Sequence, residues 1–117
     1  MAKRLITPAP LKERYGARLE RLLQGDDRKT VDQACTVADE VVRRALGDVD
    51  LTAAGQAAAT RAAGEVAFYR VAQHTGRGMA QAVDQLANAK RFLSGAQAGR
   101  LPAAYLADPQ TSETEGD

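Results

Sequence analysis

The chain has very few of the residues that build active sites and metal centres. Among its 117 residues it has one cysteine, Cys35, one histidine, His74, and no tryptophan. A single cysteine excludes an intramolecular disulfide and is typical of a protein from a reducing compartment. One thiol and one imidazole cannot supply the four ligands of a tetrahedral metal site. We therefore expect no bound metal and no cofactor.

The candidates for catalysis are equally sparse. Nucleophilic catalysis needs a nucleophile, a base and an orienting group that meet in space. His74, the only imidazole, falls in a glycine-containing segment predicted to be a turn, residues 74–78, with no serine or cysteine motif beside it. Cys35 falls on an apolar helical stripe, where an inert core thiol is expected. We predict no catalytic residues and no enzyme.

Bulky apolar residues are also scarce. The chain has 24 alanines, whereas leucine, isoleucine, valine and phenylalanine together number 22, or 19% of the residues. A content below about 20% favours disorder only when the net charge is high, and the net charge here is +1. The composition therefore predicts closely packed helices lined by alanine, with part of their burial supplied by neighbouring subunits.

No long apolar run is present. A bilayer-spanning helix needs about 18 or more consecutive apolar residues, and no stretch of the chain approaches that length. Lys3 and Arg4 are followed by only two apolar residues before the first proline, which does not match a signal peptide. These features predict a soluble intracellular protein without a membrane partner.

Charge is distributed unevenly along the chain. Residues 1–29 contain eight lysines and arginines against four acids, whereas residues 101–117 contain four acids and no base. The acids of the C-terminal end are Asp108, Glu113, Glu115 and Asp117. The bases that could contact DNA or an acidic partner are Lys3, Arg4, Lys12, Arg14, Arg18 and Arg21. The alternative interpretation is that these residues form a solvated basic face, because only Tyr15 is available nearby to stack on the bases of a nucleic acid.

Apolar residues at helical spacing, together with residues that start and stop helices, predict five helices along the chain. Thr7 and Pro8 predict the start of a short helix that ends at Tyr15 and Gly16. A second short helix is predicted to end at Gly25, Asp26 and Asp27, and the two are expected to form a cap rather than a core. Three long helices are predicted at 30–46, at about 53–73 with Thr52 as its cap, and from 79 to a stop at Gly99.

The predicted architecture is therefore all-α, a small antiparallel bundle of three long helices with a short N-terminal helical cap and an extended C-terminal tail. Its parts are a basic N-terminal arm at 1–6, a helical domain at 7–100, and a C-terminal docking segment with an acidic tail at 101–117. The helices are expected to meet at the larger apolar side chains in this alanine-rich context, Val66, Tyr69, Phe92 and Leu93.

Three motifs occur in a recognisable order. A short helix ends in an aromatic residue and glycine, Leu11-Lys12-Glu13-Arg14-Tyr15-Gly16. The second of the three long helices carries Ala67-Phe68-Tyr69-Arg70, and on the last long helix Ala89-Lys90-Arg91-Phe92-Leu93 precedes Gly99-Arg100-Leu101. Over about residues 7–102 this order resembles the small head–tail adaptor proteins of tailed bacteriophages, in particular the Mu-like branch. The chain differs from those proteins in its short connection, Gly47 to Thr52.

The resemblance implies a structural protein of the virion neck, assembled in the cytoplasm of the host bacterium. Such a protein forms a homo-oligomeric ring, twelvefold by analogy with the family, on the portal protein. The ring extends the DNA channel, through which DNA passes without sequence readout, and presents a surface to the next neck or tail component. The portal-binding residues that the resemblance implies here are Arg100, Leu101, Pro102, Tyr105 and Leu106.

Alternatives remain open from the sequence. Tyr105 and Leu106 could instead fold back onto their own bundle. The chain could be a small helical nucleic-acid-binding or regulatory protein that uses its basic N-terminal region, or another component of tail completion or packaging with similar helices.

Overall fold

Helices account for most of the chain that the structure describes. The computed structural model describes residues 5–23, 28–47 and 49–107. Its five helices in those ranges are Pro8–Tyr15 (α1), Ala17–Leu23 (α2), Arg28–Leu46 (α3), Ala53–Thr75 (α4) and Met79–Gln97 (α5), followed by a 3₁₀ turn at Ala103–Tyr105. The predicted all-α bundle with three long helices is confirmed. The predicted helix end at residues 25–27 lies outside the described residues.

The ends of the long helices follow from glycine and threonine. Gly47, directly after α3, has a φ of 62°, which only glycine adopts readily. The Thr52 side chain accepts a hydrogen bond of 3.1 Å from the Gly55 N–H, which confirms it as the N-cap of α4. The C-terminal end of α4 was predicted too early, because the helix continues through His74 and Thr75 and stops at the left-handed Gly76.

Helix α4 lies at the centre of the bundle. It packs against α1, α2, α3, α5 and the 3₁₀ turn. Residues 62–68, almost two full turns, are all buried, so this part of α4 is enclosed on every side. Small residues dominate the segment, which lets the surrounding backbones approach closely. The prediction that the alanine-rich helix is central is confirmed.

The largest fully buried side chain is Phe68, which is 1% exposed. The four side chains predicted as anchors contribute less, since Val66 is buried while Tyr69, Phe92 and Leu93 pack half-buried against the core. Burying a phenylalanine side chain contributes about 1.5–3 kcal/mol relative to leaving it exposed. Phe68 is therefore the principal anchor of the long helices.

The N-terminal helices belong to the core. Leu11 of α1 and Leu19 of α2 are fully buried, and Leu5 and Ile6, at the end of the predicted basic arm, are buried as well. The expectation that this region is a cap rather than a core is therefore wrong. The physical reason is the shortage of bulk in the long helices, because the N-terminal leucines fill space that alanine leaves.

Helix α3 presents the apolar stripe that its spacing predicts. Val31, Cys35, Ala38 and Val42 are fully buried along it. Cys35 is thus a buried core thiol, as expected. Val41 departs from the stripe, since 38% of its surface is exposed.

Gly55 is predicted to be indispensable, because a Cβ at this position would overlap the backbone carbonyl of Tyr105. We expect Gly55→Ala to lower the free energy of unfolding by about 1–3 kcal/mol, as overpacking against a fixed backbone does. Urea unfolding followed by circular dichroism measures the change.

The matched control is Gly95→Ala in α5, where a Cβ would lie at an ordinary 3.7 Å from Leu101. There the higher helix propensity of alanine should raise stability by about 0.5–1 kcal/mol. Equal effects of the two substitutions would contradict the close approach.

Candidate interaction surfaces

The C-terminal segment, residues 100–107, lies against the start of α4. The Thr52 N–H donates to the Tyr105 carbonyl at 2.9 Å, and the Thr52 hydroxyl donates to the Ala104 carbonyl at 2.6 Å. The Ala107 N–H donates to the Asp50 carbonyl at 3.0 Å. Thr52 therefore both caps α4 and fixes the C-terminal segment beside the connection from α3.

The predicted portal-binding residues divide by exposure. Leu101, Tyr105 and Leu106 are half-buried, whereas Arg100 and Pro102 are exposed. The Tyr105 ring packs against Phe92 with centroids 6.5 Å apart. The segment thus rests on its own bundle, as the alternative interpretation held, while all five residues keep some accessible surface. Their role in binding a portal remains a prediction.

The predicted basic residues do not form one uniform surface. Lys12, Arg18 and Arg21 are exposed on α1 and α2, and Lys3 and Arg4 lie outside the described residues. Acidic Glu13 and Glu20 are exposed on the same two helices. The α1–α2 surface therefore carries mixed charge.

Arg14 is committed to contacts within the protein. Its Nη1 donates to the Arg61 carbonyl at 3.0 Å, and its Nη2 lies 3.5 Å from the Glu65 carboxylate. The guanidinium also lies 5.0 Å from the centroid of the adjacent Tyr15 ring, within the range of a cation–π contact. A Cβ at position 64 would lie 2.9 Å from Nη1, so Gly64 makes room for this side chain. Arg14 ties α1 to α4.

Tyr15 connects α1 to both α4 and α5. Its ring stacks on Phe68 with centroids 4.3 Å apart and an interplanar angle of 17°. Its hydroxyl donates to the Gln85 side-chain oxygen at 2.6 Å. Burial raises the pKa of Tyr15 to about 12, so the phenol stays protonated and remains a donor.

Glu65 is buried in the middle of α4, with 4% of its surface exposed. Burial raises the pKa of its carboxyl above the ordinary 4.5, against the opposing effects of the Arg14 guanidinium and a hydrogen bond from Asn88. The sequence pattern does not predict a buried Glu65, because a glutamate in an alanine-rich helix normally marks the solvent side. The only local signal was Gly64 directly before it. The cluster of Arg14, Tyr15, Glu65, Gln85 and Asn88 fixes how α1 docks on α4 and α5.

The single cysteine and the single histidine do not share an exposed site in the described structure. Cys35 is fully buried, and His74 lies exposed on the last turn of α4. Within the described ranges no three or more histidine, cysteine, aspartate or glutamate residues come together as a metal-binding group. Over the same ranges, no helix combines the length and apolar character needed to cross a membrane.

Among the clefts on the surface of the described residues are two open ones. One, of about 320 Å³, runs between α3 and α4 and is lined by Thr30, Gln33, Ala34, Thr36, Val37, Arg70 and His74. The other, of about 750 Å³, lies beside the α3–α4 connection, where Leu5 and Ala107 both contribute to its wall. The two ends of the described chain therefore meet at one cleft.

Comparison of the chain with protein-family models, with curated proteins and with solved structures found no match.

We expect the buried carboxyl of Glu65 to make stability depend on pH. A raised pKa in the folded state means that folded Glu65 holds its proton where the unfolded chain has released it, so the free energy of unfolding falls as pH rises through this window above 4.5. Glu65→Gln should remove that fall. The measurement is urea unfolding at a series of pH values, with Glu13→Gln, an exposed carboxylate on α1, as the control that keeps it. A Glu65→Gln profile parallel to that of the unmodified protein would contradict the assignment.

Proposed function

We propose that the chain is a non-enzymatic adaptor of a bacteriophage neck, which assembles as a ring on a portal protein and extends the DNA channel toward the tail. The proposal rests first on the order of motifs that resembles this family. The all-α bundle supports it, because the motifs lie on α1, α4 and α5 and lead directly into the C-terminal segment.

The structural observation that best supports the proposal is the state of the C-terminal segment. It is attached to the start of α4 mainly through backbone groups, while Arg100 and Pro102 are exposed and Tyr105 and Leu106 are half-buried. Aromatic and arginine side chains are the groups that most often dominate protein–protein interfaces. A partner that meets this end of the bundle would thus find both an exposed cation and accessible apolar surface.

Ring formation is supported by exposed apolar residues on two different helices. Val41 on α3 is 38% exposed and Val83 on α5 is 50% exposed. A closed ring needs two different surfaces on each subunit, one for each neighbour. We propose that the α3 surface of one subunit meets the α5 surface of the next.

The non-enzymatic part of the proposal is supported by the surroundings of the one thiol. Cys35 is fully buried between helices, which keeps it from any substrate in solution. The buried Glu65 has Arg14 and Asn88 as partners, and their contacts hold α1 in place.

Portal capture tests the proposal. We expect the purified chain to co-purify with a portal protein encoded in the same genome, and Arg100→Glu to weaken capture by about tenfold or more, since it reverses an exposed charge without removing a core contact. Tyr105→Ser combined with Leu106→Ser should abolish capture, with circular dichroism confirming that the helices remain. Arg91→Glu, an equal charge reversal on the exposed side of α5, is the control that keeps binding. No capture by the unmodified chain, or undiminished capture by both folded variants, would overturn the proposal.

Duplex DNA binding discriminates against the alternative of a nucleic-acid-binding protein. Because Glu13 and Glu20 interrupt the basic residues of α1 and α2 and Arg14 is already paired, we expect only weak, non-specific binding, with a Kd of about 10⁻⁴–10⁻⁶ M at physiological salt. Fluorescence anisotropy across a salt series measures it. Nanomolar binding with a steep salt dependence, lost when Lys12, Arg18 and Arg21 are replaced by alanine, would favour the alternative.

A further inference from the structure

The cleft between α3 and α4 has the chemistry of a site for carboxylates. Arg70 and His74 lie one turn apart on the exposed side of α4, and hydroxyl and amide side chains of α3 face them across the cleft. No acidic residue is among those that line this cleft in the described part of the chain. The groups that converge here are therefore hydrogen-bond donors and a permanent cation.

Within the described residues the Thr36 hydroxyl already donates to the Asp32 carbonyl at 3.0 Å, so Arg70 and His74 are the groups left to bind a ligand. Arg70 forms no ion pair there, in contrast to Arg14, Arg43 and Arg44, each of which pairs with a carboxylate. His74 likewise makes no hydrogen bond to any described residue. An exposed arginine without a partner, at the rim of a concave surface, can accept a planar carboxylate through two parallel hydrogen bonds.

The chain itself contains an acidic segment of the matching charge. Residues 108–117 carry Asp108, Glu113, Glu115 and Asp117 and no base. The described chain leads into this segment at Ala107, whose N–H is bonded to the Asp50 carbonyl beside the start of α4. Arg70 lies toward the opposite end of α4, about 27 Å from Thr52 along the helix axis.

That distance favours a second copy over the same copy. An extended chain spans at most about 3.3–3.6 Å per residue, so Glu113 reaches only about 20 Å from Ala107. Within one chain only Glu115 and Asp117 could come near Arg70, and only with the segment almost fully extended over its eight to ten residues, about 26–36 Å. A neighbouring subunit whose C-terminal end faces the cleft supplies the same carboxylates without such stretching.

We propose that the α3–α4 cleft binds the acidic C-terminal segment of a second copy of this chain, with the carboxylates of residues 113–117 meeting Arg70 and His74. The contact is head-to-tail, because the two surfaces involved are different, and it rests on the ring-forming part of the proposed function. It requires no contact with a portal.

Charge reversal in the full-length chain tests this contact. The variants are Arg70→Glu and, in a separate chain, Glu113→Lys with Glu115→Lys and Asp117→Lys. Sedimentation velocity over a concentration series at low salt should show self-association weakened about tenfold or more in each variant alone, and restored to within about threefold when the two are mixed. Arg91→Glu, an exposed arginine of α5 outside the cleft, should leave association unchanged.

Several outcomes would overturn the inference. Unchanged association of Arg70→Glu, or a chain that stays monomeric up to millimolar concentration, removes the contact between copies. If a chain that carries both sets of changes still fails to self-associate, the cleft is assigned to the chain's own tail. If the unmodified chain binds duplex DNA and the Arg70→Glu variant does not, the cleft is assigned to phosphate groups. If the chain self-associates as expected but does not capture a portal, this inference stands and the adaptor function is refuted. If the Arg70→Glu chain captures a portal and self-associates like the unmodified chain, the adaptor function stands and this inference is refuted.

Discussion

The complete enclosure of one segment of α4 determines the arrangement of the other helices. Residues 62–68 are buried around the whole circumference of the helix, which demands neighbours on every side. Helices α3 and α5 pack against α4 along much of its length, and α1, α2 and the 3₁₀ turn complete the cover, α1 through the stacked pair of Tyr15 and Phe68. Alanine and glycine make this enclosure feasible, since they let backbones approach, but they leave little bulk for the hydrophobic effect. Leu11 of α1 and Leu19 of α2 supply part of that bulk, so the N-terminal helices are integral to the domain.

Docking α1 places a partly exposed arginine over a buried carboxyl of α4. Arg14 reaches over Gly64 to the carboxylate of Glu65 and the carbonyl of Arg61. Removing Arg14 would leave the buried Glu65 carboxyl without this partner, so the contact favours one docking geometry over others. The Tyr15 hydrogen bond to Gln85 fixes α1 against α5 in the same way. The surface left after this packing carries exposed valines on α3 and α5, the cleft with Arg70 and His74, and a partly accessible C-terminal segment, and the proposed assembly depends on these features.

Local signals in the sequence predicted the elements well. Gly47, Thr52 and Gly99 act within a few residues of the helix ends that they set, and the stripe of α3 has a clear period. Helix α4 offers no such period, because alanine occurs around its whole circumference, so the pattern did not distinguish Phe68 from the neighbouring Tyr69. The cluster at Glu65 depends on Arg14, 51 residues away in sequence, and no local rule reports a partner at that distance. The sequence left open whether the C-terminal segment contacts its own bundle; the hydrogen bonds of Thr52 show that it does, while docking on a portal stays a prediction.

Amide hydrogen exchange on the full-length chain tests the central claim, the enclosure of α4 by α1, most directly. We expect the amides of residues 62–68 to be the slowest in the described chain and to exchange only through global unfolding. Tyr15→Ala should accelerate them together with the rest of the core, whereas Tyr69→Ala, at a half-buried position, should have a much smaller effect. Rapid exchange of residues 62–68 while α3 and α5 stay protected, or exchange there that is indifferent to Tyr15→Ala, would contradict the account.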